Sequence, residues 1–322
     1  ASDPYRLLKE IPVGGDGGWD YLSVDAGARR LYVSHGNEVV VVNIDNNTVA
    51  GHIADTPGVH GLAVAPDLKR GFSTNGRENK ASMIDLTTLA TLSKIDTGGN
   101  PDGMLYEPTQ QEIYTFNGRG QSTTVIDAKA GKVVATIPLG GKPEFAATDG
   151  KAGRVYNNIE DKNEVVAIDI KTHSVANRWP IAPGEGATGM AFDLAHHRLF
   201  LACSNNLMIV LDSVTGKVVA KAPIGPGADA AAFDPATQLA FASCGGDGTC
   251  TILHEDSPDK YSVVQTLKTE TRARTMTIDP VSHRIYLASA NYLAAAAGAG
   301  GKQGRPQMVP GSFKILVYGS EK

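Results

Sequence analysis

Cysteine, tryptophan and any excess of one charge are scarce in this sequence. Its 322 residues include three cysteines and two tryptophans, and the formal net charge is −4. A general nucleic-acid binder carries a basic surface, so this charge balance argues against that class of partner. No run approaches the roughly 18 apolar residues that a membrane-spanning helix needs, so no membrane span is expected. No signal peptide is visible either.

The three cysteines are Cys203, Cys244 and Cys250, and their odd number leaves at least one thiol unpaired within the chain. Cys244 and Cys250 flank a Gly-Gly-Asp-Gly-Thr turn, where they could form a disulfide across a hairpin. The alternative is that both thiols are unpaired and pack as small apolar groups. The sequence leaves both readings open.

Glycine and proline are abundant, at 36 and 17 residues, which indicates many short strands joined by tight turns. A repeated phrase supports this reading: an apolar strand, an acidic residue, a polar turn and a second apolar strand. The acidic residue is predicted to favour the tight reversal. Its copies are placed at Asp45, Asp85, Asp127, Asp169 and Asp212, with a degenerate sixth copy at Glu255.

A second phrase precedes each copy of the first and carries one aromatic residue. It consists of a short strand, a turn containing Asp or Pro, and a strand with the aromatic. The seven aromatics are Tyr32, Phe72, Tyr114, Tyr156, Phe200, Phe241 and Tyr286. One large ring per unit at a fixed place is typical of packing, so these residues are predicted to fill the wedges between neighbouring units.

These phrases resemble the YVTN-type (YncE-like) repeat family, through Leu31-Tyr32-Val33-Ser34-His35 and Thr124-Val125-Ile126-Asp127. The resemblance implies an all-β, seven-bladed β-propeller of four-stranded antiparallel blades, forming a single domain over residues 1–322. It also implies a periplasmic or secreted protein, and we expect a monomer. One fold hosts many activities, so the resemblance is specific for fold and weak for function.

The last unit lacks its outer strand, and the N-terminal segment Tyr5–Val13 has the pattern of such a strand. We therefore predict that the N-terminal strand closes the ring by pairing in the last blade. This join removes two free sheet edges, which would otherwise invite aggregation.

The four strands of each blade are labelled A to D from the central channel outwards. Aligning the units places one residue of each strand A at the mouth of this channel, on the face formed by the loops from D to the next A and from B to C. These residues are Asp20, His60, Asp102, Glu144, Thr188, Asp229 and Arg274. Polar residues concentrate in blades 1 to 4, which is typical of a pocket for a polar ligand. The predicted ligand-binding residues are Asp20, His35, His60, Asn75, Arg77, Asp102, Asn117, Arg119 and Glu144.

Several functions are compatible with this mouth. The first is a pocket for a small polar ligand or glycan without catalysis, which the absence of Gly-x-Ser-x-Gly and His-Glu-x-x-His favours. No cofactor is certain, but a divalent metal held by His60, Asp20, Asp102 and Glu144 is a candidate. An enzyme is the alternative: a lyase or hydrolase acting on an acidic sugar or lactone. His60 or His35 would be the general base, and Arg77, Arg119 or Arg274 would bind a carboxylate. A protein-interaction platform and a solvated ring of ion pairs complete the alternatives.

Two other features carry expectations. An Ala- and Gly-rich insertion, residues 292–312, is predicted to lie over the same face in blade 7, as a lid, a partner-binding loop or an unstructured insertion. His196 and His197 are adjacent in sequence and fall in a turn on the opposite face. They are predicted to be surface residues that point apart.

Overall fold

The computed structural model describes residues 4–293 and 306–320, and they form seven four-stranded antiparallel sheets. Each sheet is one blade, with strands A to D running from the central channel outwards. The predicted seven-bladed propeller is therefore confirmed. Apart from strands, only two short 3₁₀ helices are present in the described residues, Pro66–Leu68 and Glu160–Lys162.

The strands of the seven blades are given in blade order. The A strands are Trp19–Asp25, Val59–Ala65, Pro101–Glu107, Pro143–Asp149, Ala187–Asp193, Ala228–Asp234 and Met276–Asp279. The B strands are Arg30–His35, Arg70–Asn75, Glu112–Asn117, Arg154–Ile159, Arg198–Cys203, Leu239–Cys244 and Arg284–Ser289. The C strands are Glu38–Asn43, Lys80–Asp85, Ser122–Asp127, Glu164–Asp169, Leu207–Asp212, Thr249–Ser257 and Lys314–Gly319. The D strands are Thr48–Ile53, Thr91–Asp96, Lys132–Pro138, Ser174–Pro180, Val218–Pro223, Lys260–Lys268 and Arg6–Pro12.

The core is divided into seven apolar clusters, one in each wedge between two blades. Each cluster contains one of the predicted aromatics together with residues of the following blade. Phe72 of blade 2, for example, packs with Ile113 and Ile126 of blade 3, and Tyr286 of blade 7 packs with Leu31 of blade 1. All seven aromatics are buried. Their predicted role as wedge fillers is confirmed.

The ring is closed by the N-terminal strand, as predicted. Arg6–Pro12 pairs antiparallel with Lys314–Gly319, from Arg6 opposite Gly319 to Pro12 opposite Lys314. Tyr5 anchors the start of this strand, because its hydroxyl donates to His283 O at 2.6 Å and its ring packs on Phe241. The two ends of the described chain therefore hold each other in one blade.

The structure corrects the register of the first repeated phrase in two blades. In blade 1 the side chain that accepts the turn N–H groups is Asn43, whose Oδ1 bonds Asp45 N at 2.9 Å; in blade 2 Asp85 does the same for Thr87 N. In blade 6 the position opposite the start of strand B belongs to His254. Asp45 and Glu255 therefore lie outside the turn-capping position, and Glu255 is instead a buried residue.

The three cysteines are buried free thiols. Cys250 lies opposite Ser243 and Cys244 lies opposite Thr249, so the two thiols are not cross-strand neighbours. The reading in which both are unpaired is confirmed, and the disulfide is not formed.

The insertion in blade 7 starts and ends as a short ladder. Tyr292 forms a bridge with Met308, and Leu293 N donates to Gln307 O at 2.8 Å. Residues 294–305 lie outside the described residues, so its predicted role as a lid or partner loop stays a prediction. Within residues 4–293 and 306–320, no helix has the length and apolar character that crossing a membrane requires.

Candidate functional site

A β-bulge in strand A aims one residue per blade at the channel mouth. In blades 1 to 6 the A–B register shifts around this residue, between Trp19 and Leu22 in blade 1 and between Val59 and Leu62 in blade 2. A bulge turns a side chain away from the regular alternation of a strand. The residues so placed, with Arg274 of blade 7, are those that the alignment predicted.

Hydroxyl groups replace the ladder hydrogen bonds that the bulges remove. Ser34 Oγ accepts from Asp20 N at 2.8 Å, and Thr74 Oγ1 accepts from Gly61 N at 3.1 Å. Thr74 also donates to Asp102 O of the next blade at 2.7 Å, and Thr275 donates to Asp20 O at 2.6 Å. The backbone of the mouth is therefore fixed from blade to blade before any ligand binds.

The charged side chains at the mouth form a linked network. His60 Nδ1 lies 2.8 Å from Asp20 Oδ2 and 3.4 Å from Asp102 Oδ1. Arg274 bridges the other side of Asp20, with Nη2 at 3.3 Å from Asp20 Oδ1 and Nε at 2.8 Å from Asp229 Oδ2. The structure therefore brings together five of the predicted mouth residues in one continuous chain of opposite charges, with Asp102 at one end and Asp229 at the other.

Burial and mutual repulsion alter proton affinity in this network. Burial, and then the charge on Asp20, raise the pKa of Asp102 to about 6, and burial raises the pKa of Asp229 to about 6 although Arg274 opposes it. Burial alone would lower the pKa of His60, but the Asp20 hydrogen bond and the Asp102 charge outweigh it and raise the pKa overall. The mouth therefore holds exchangeable protons close to neutral pH.

Glu144 is bound differently from the other acids of the mouth. Its Oε1 lies 2.7 Å from Lys142 Nζ, and Lys142 also pairs with Glu160. Burial and then the charge on Asp102 raise the pKa of Glu144 to about 8, with Lys142 acting in the opposite sense. Glu144 was predicted as a metal ligand beside His60, and in the structure its Oε1 is paired with Lys142.

Two aromatic rings close the channel beneath the mouth. Tyr21 and Phe145 each follow a mouth residue, and their ring centroids are 4.2 Å apart. Gly61 and Gly103 occupy the corresponding positions of blades 2 and 3, where a Cβ on Gly103 would lie 3.2 Å from Tyr21 Oη. The two rings therefore lie beneath the charged residues, and the glycines of blades 2 and 3 leave room for them.

The strand B ends that were predicted to line the mouth are buried inside their blades. Asn75 Nδ2 donates to Glu78 and Ser82, and Asn117 Nδ2 donates to Ser122 and Thr124. The His35 ring stacks on Phe313, with centroids 3.9 Å apart, and burial lowers the pKa of His35. The two asparagines therefore hold their B–C turns, His35 packs on Phe313, and the described contacts of these three side chains do not include the charged network.

The predicted loop arginines are exposed on the same face. Arg77 Nη1 donates to Asn37 Oδ1 at 3.3 Å, which ties it to the neighbouring blade. Arg119 packs its Cβ near Gly99, and no charged partner of Arg119 is found among the described residues. Neither contacts the His60 network.

A cavity that the sequence did not indicate lies over blades 6, 7 and 1. Its volume is about 430 Å³, and the lining consists of Gly18, Trp19, Gly227, Gly245, Gly246, Arg272, Arg274 and Tyr292. Arg272 stacks over the Tyr292 ring, with Cζ 4.6 Å from its centroid. Arg274 belongs to both the cavity and the His60 network, so the two form one continuous site.

Arg272 and Lys142 share a position two residues before the mouth residue of their blades. The other blades have Gly18, Gly58, Asn100, Gly186 and Gly227 there. A cation at a position that is glycine or asparagine in the other blades indicates a special role for that residue. An alignment of the D–A loops in the sequence would have revealed it. The lopsided polarity was predicted for blades 1 to 4, whereas the cavity lies over blades 6, 7 and 1, so only blade 1 is common to both.

Comparison with known proteins supports the fold class. The chain is similar to a structure of Kuenenia stuttgartiensis hydrazine synthase, with a TM-score of 0.75 and 17% identity over 85% of this chain and 94% of that chain. It is similar to a chain in the crystal structure of the mitotic checkpoint complex, with a TM-score of 0.76 and 13% identity over 89% of each chain. At these identities the likeness shows a shared propeller and nothing about activity.

No protein-family model matches the chain, and no curated protein matches its sequence. The chain is thus a seven-bladed β-propeller, and the finer resemblance to YVTN-type repeats stays an interpretation of its repeated phrases.

Proposed function

We propose that the mouth of this propeller binds a small organic anion, and that a carboxylate-bearing sugar is the best candidate class. The cavity beside Arg272 and Arg274 takes the ligand, and the protein acts outside the cytoplasm, in the periplasm or after secretion. The observation that carries the proposal is the conformation and position of Arg272.

Arg272 adopts a left-handed backbone conformation with φ of 73°. The equivalent residues Gly58, Asn100 and Gly227 also have positive φ, and glycine and asparagine tolerate it best. An arginine there costs about 1 kcal/mol relative to glycine. Fifteen other non-glycine residues within the described ranges also have positive φ, mostly in turns, so it is the position of Arg272 at the cavity together with its strain that supports a role for the side chain.

The charge on Arg272 is available to a ligand. The structure shows no carboxylate partner for Arg272 within residues 4–293 and 306–320; its described side-chain contact is the Tyr292 ring. Arg274, by contrast, is shared between Asp20 and Asp229. A planar guanidinium recognises a carboxylate through paired hydrogen bonds. Arg272 would therefore attract the carboxylate of the ligand, whereas Arg274, held by two acids, forms a fixed wall of the site.

The remaining walls suit the body of a sugar. The cavity is lined by the partly exposed ring of Tyr292, by the largely buried Trp19, 6.5 Å away between centroids, and by four glycines that keep it open. A volume of about 430 Å³ falls within the range of small-molecule sites. An aromatic face packs against the apolar face of a sugar ring, and the carboxylates at the channel mouth accept hydrogen bonds from sugar hydroxyls. A uronic acid combines such a ring and hydroxyls with the carboxylate that Arg272 would bind.

A divalent cation is the alternative occupant of the mouth. One donor atom each from Asp20, His60 and Asp102 lies within 4.8 Å of the others. Such a cation would have to displace the proton that the two carboxylates favour on His60. It would also lie close to Arg274, which contacts Asp20. The proton and the arginine already supply the positive charge that these acids need, which favours the organic anion.

Acid–base catalysis on the same ligand is a second candidate. The raised pKa values of Asp102 and Glu144 give the site groups that can exchange protons near neutrality. His60 would then act as a proton donor, whereas buried His35 is not positioned for it. A lyase or hydrolase would have to turn over its substrate. If no small ligand binds, a protein-interaction platform is the remaining hypothesis.

The test is a thermal-shift and calorimetric titration of the full chain with galacturonate and with galactose, the neutral sugar of the same shape. Galacturonate should raise the melting temperature, and galactose should not. Arg272→Gly removes the cation and relieves the backbone strain, so it should melt at the same or higher temperature while binding about 10–100-fold more weakly.

Arg77→Ala is the matched control, because Arg77 is exposed on the same face outside the cavity. It should bind like the wild type. Equal galacturonate affinity in Arg272→Gly and the wild type, or no response to any carboxylate sugar, would overturn the proposal. Turnover that His60→Ala abolishes without weakening binding would establish the enzyme.

A further inference from the structure

On the opposite face, buried acids terminate the A strands of six blades. They are Asp25, Glu107, Asp149, Asp193, Asp234 and Asp279. Each accepts N–H groups of the A–B turn that follows; Asp193 Oδ1, for example, accepts from Ala195 N at 3.0 Å. At least one oxygen of each acid is therefore used by its own turn.

At Asp279 of blade 7 and Asp234 of blade 6, a basic side chain from the next blade contacts the second carboxylate oxygen. Arg29 Nη2 lies 2.9 Å from Asp279 Oδ2, and His283 Nδ1 lies 2.8 Å from Asp234 Oδ2. Asp193 departs from this pattern. Its Oδ2 lies 2.6 Å from Nδ1 of His196 in its own turn, and the same nitrogen lies 3.1 Å from Oε1 of Glu255 in blade 6.

Glu255 is a carboxylate at a position that is otherwise apolar or small. Its backbone N–H bonds Gln238 O, just as the N–H groups of the equivalent residues bond the turn carbonyls of their blades. Those equivalents are Ile44, Leu86, Ala128, Ile170 and Ser213. A charged residue gains nothing there by packing, since burying an unpaired carboxylate is costly.

The Glu255 side chain is 1% exposed, and among residues 4–293 and 306–320 neither carboxylate oxygen has a hydrogen-bond partner of acceptable geometry. The contact with His196 is close in distance but poorly aligned. Two buried acids thus share one imidazole, which leaves a buried negative group without a full complement of partners.

We propose that Asp193, His196 and Glu255 form a divalent-cation site of the zinc type between blades 5 and 6. Donor atoms of the three residues lie within 4.8 Å of one another. Two carboxylates and a neutral imidazole balance the charge of a divalent ion and form a ligand set that zinc accepts. The ion would satisfy the Glu255 oxygens and the second oxygen of Asp193 together.

The geometry needs only small movements. With bonds of about 2.0–2.1 Å, ligand atoms on a tetrahedral zinc lie about 3.3 Å apart. The separations of 2.6 and 3.1 Å from His196 Nδ1 would open slightly as the ion replaces the shared proton. The turn N–H on Asp193 Oδ1 already orients that ligand.

The site is also accessible from solvent. The His196 side chain is 37% exposed, so an ion can enter from the surface and keep water as its fourth ligand. His197 turns away towards Asp149, 3.8 Å from its Oδ2. The two histidines point apart as predicted, and only His196 joins the site.

The proposal is tested by stripping the full chain of metal with a chelator and titrating it with Zn²⁺ by calorimetry at neutral pH, followed by Co²⁺ for its visible spectrum. The wild type should bind one Zn²⁺ per chain at this site and give a tetrahedral Co²⁺ spectrum. Glu255→Leu reproduces the residue of blade 2 and should lose both signals. Its metal-free form should melt no lower than the wild type, which shows that the fold is intact.

Two variants separate this site from other histidine–carboxylate groups. His283→Ala breaks a similar pair on Asp234 that has no second acid, and His60→Ala breaks the cluster at the channel mouth. Both should retain the Zn²⁺ signal that Glu255→Leu loses. Absence of Zn²⁺ binding in the wild type, or an unchanged isotherm in Glu255→Leu, would overturn the proposal, as would a signal lost only in His60→Ala.

Discussion

Replacing Asp102 by asparagine should stabilise the propeller, and only above mildly acidic pH. The side chain is 14% exposed, and its pKa is about 6 against an ordinary value of 3.8. The folded state therefore keeps a proton on Asp102 through a pH range in which the unfolded chain has released it. Folding stability from this group is fully present below pH 3.8 and is lost as the pH rises towards 6.

The magnitude follows from the size of the shift. One pKa unit corresponds to about 1.4 kcal/mol, so ionised Asp102 opposes folding by about 3 kcal/mol. This penalty is net of the attraction of His60, which lies 3.4 Å away and opposes the rise in pKa, and the acid interacts with neighbouring charges that can readjust when asparagine replaces it. The net gain in the free energy of unfolding for Asp102→Asn should therefore be about 1–3 kcal/mol above pH 6.

Urea unfolding of both proteins between pH 3.5 and 8, roughly the span over which the carboxylate changes state, measures this difference. The two curves should converge at the acid end and separate as the pH rises. Asp96→Asn is the control, because that carboxylate is 86% exposed and its change should shift stability little at any pH. A difference that does not depend on pH, or destabilisation by Asp102→Asn at pH 8, would refute the electrostatic account of the mouth.

Two further predictions concern the fold. Deleting residues 1–13 removes the last strand of blade 7 together with buried Tyr5 and Ile11. The free energy of unfolding should therefore fall by at least about 4 kcal/mol and the melting temperature should fall with it; an unchanged melting temperature would contradict closure through this strand. Cys203, Cys244 and Cys250 are buried, and burial raises the pKa of Cys203 to about 12. A thiol reagent should therefore label none of them in the native chain and all three in denaturant, whereas rapid native labelling would show that the blades open.

The candidate site was only partly predictable, for a local reason. Aligning strands located Asp20, His60 and Asp102 at the mouth, because every unit reaches the channel at the same place. The same alignment placed Asn75 and Asn117 there as well. Their side chains turn into the blade, where Ser82 and Ser122 take their hydrogen bonds. Which way a residue at a strand end points depends on the turn beyond it, and sequence spacing does not record this.

The sequence by itself determined the architecture of this protein. Repeated strands with one aromatic per unit require a closed ring, because each apolar wedge can be buried only against a neighbouring unit, and the unpaired terminal strand can be satisfied only in the last blade. The tertiary structure alone decided which side chains meet. The ion pairs between Asp20 and His60, the cavity at Arg272, and the meeting of Asp193 with Glu255 all join residues from different blades. Such contacts depend on how the blades are rotated and packed around the axis, whereas a repeat pattern specifies only the strands within each blade.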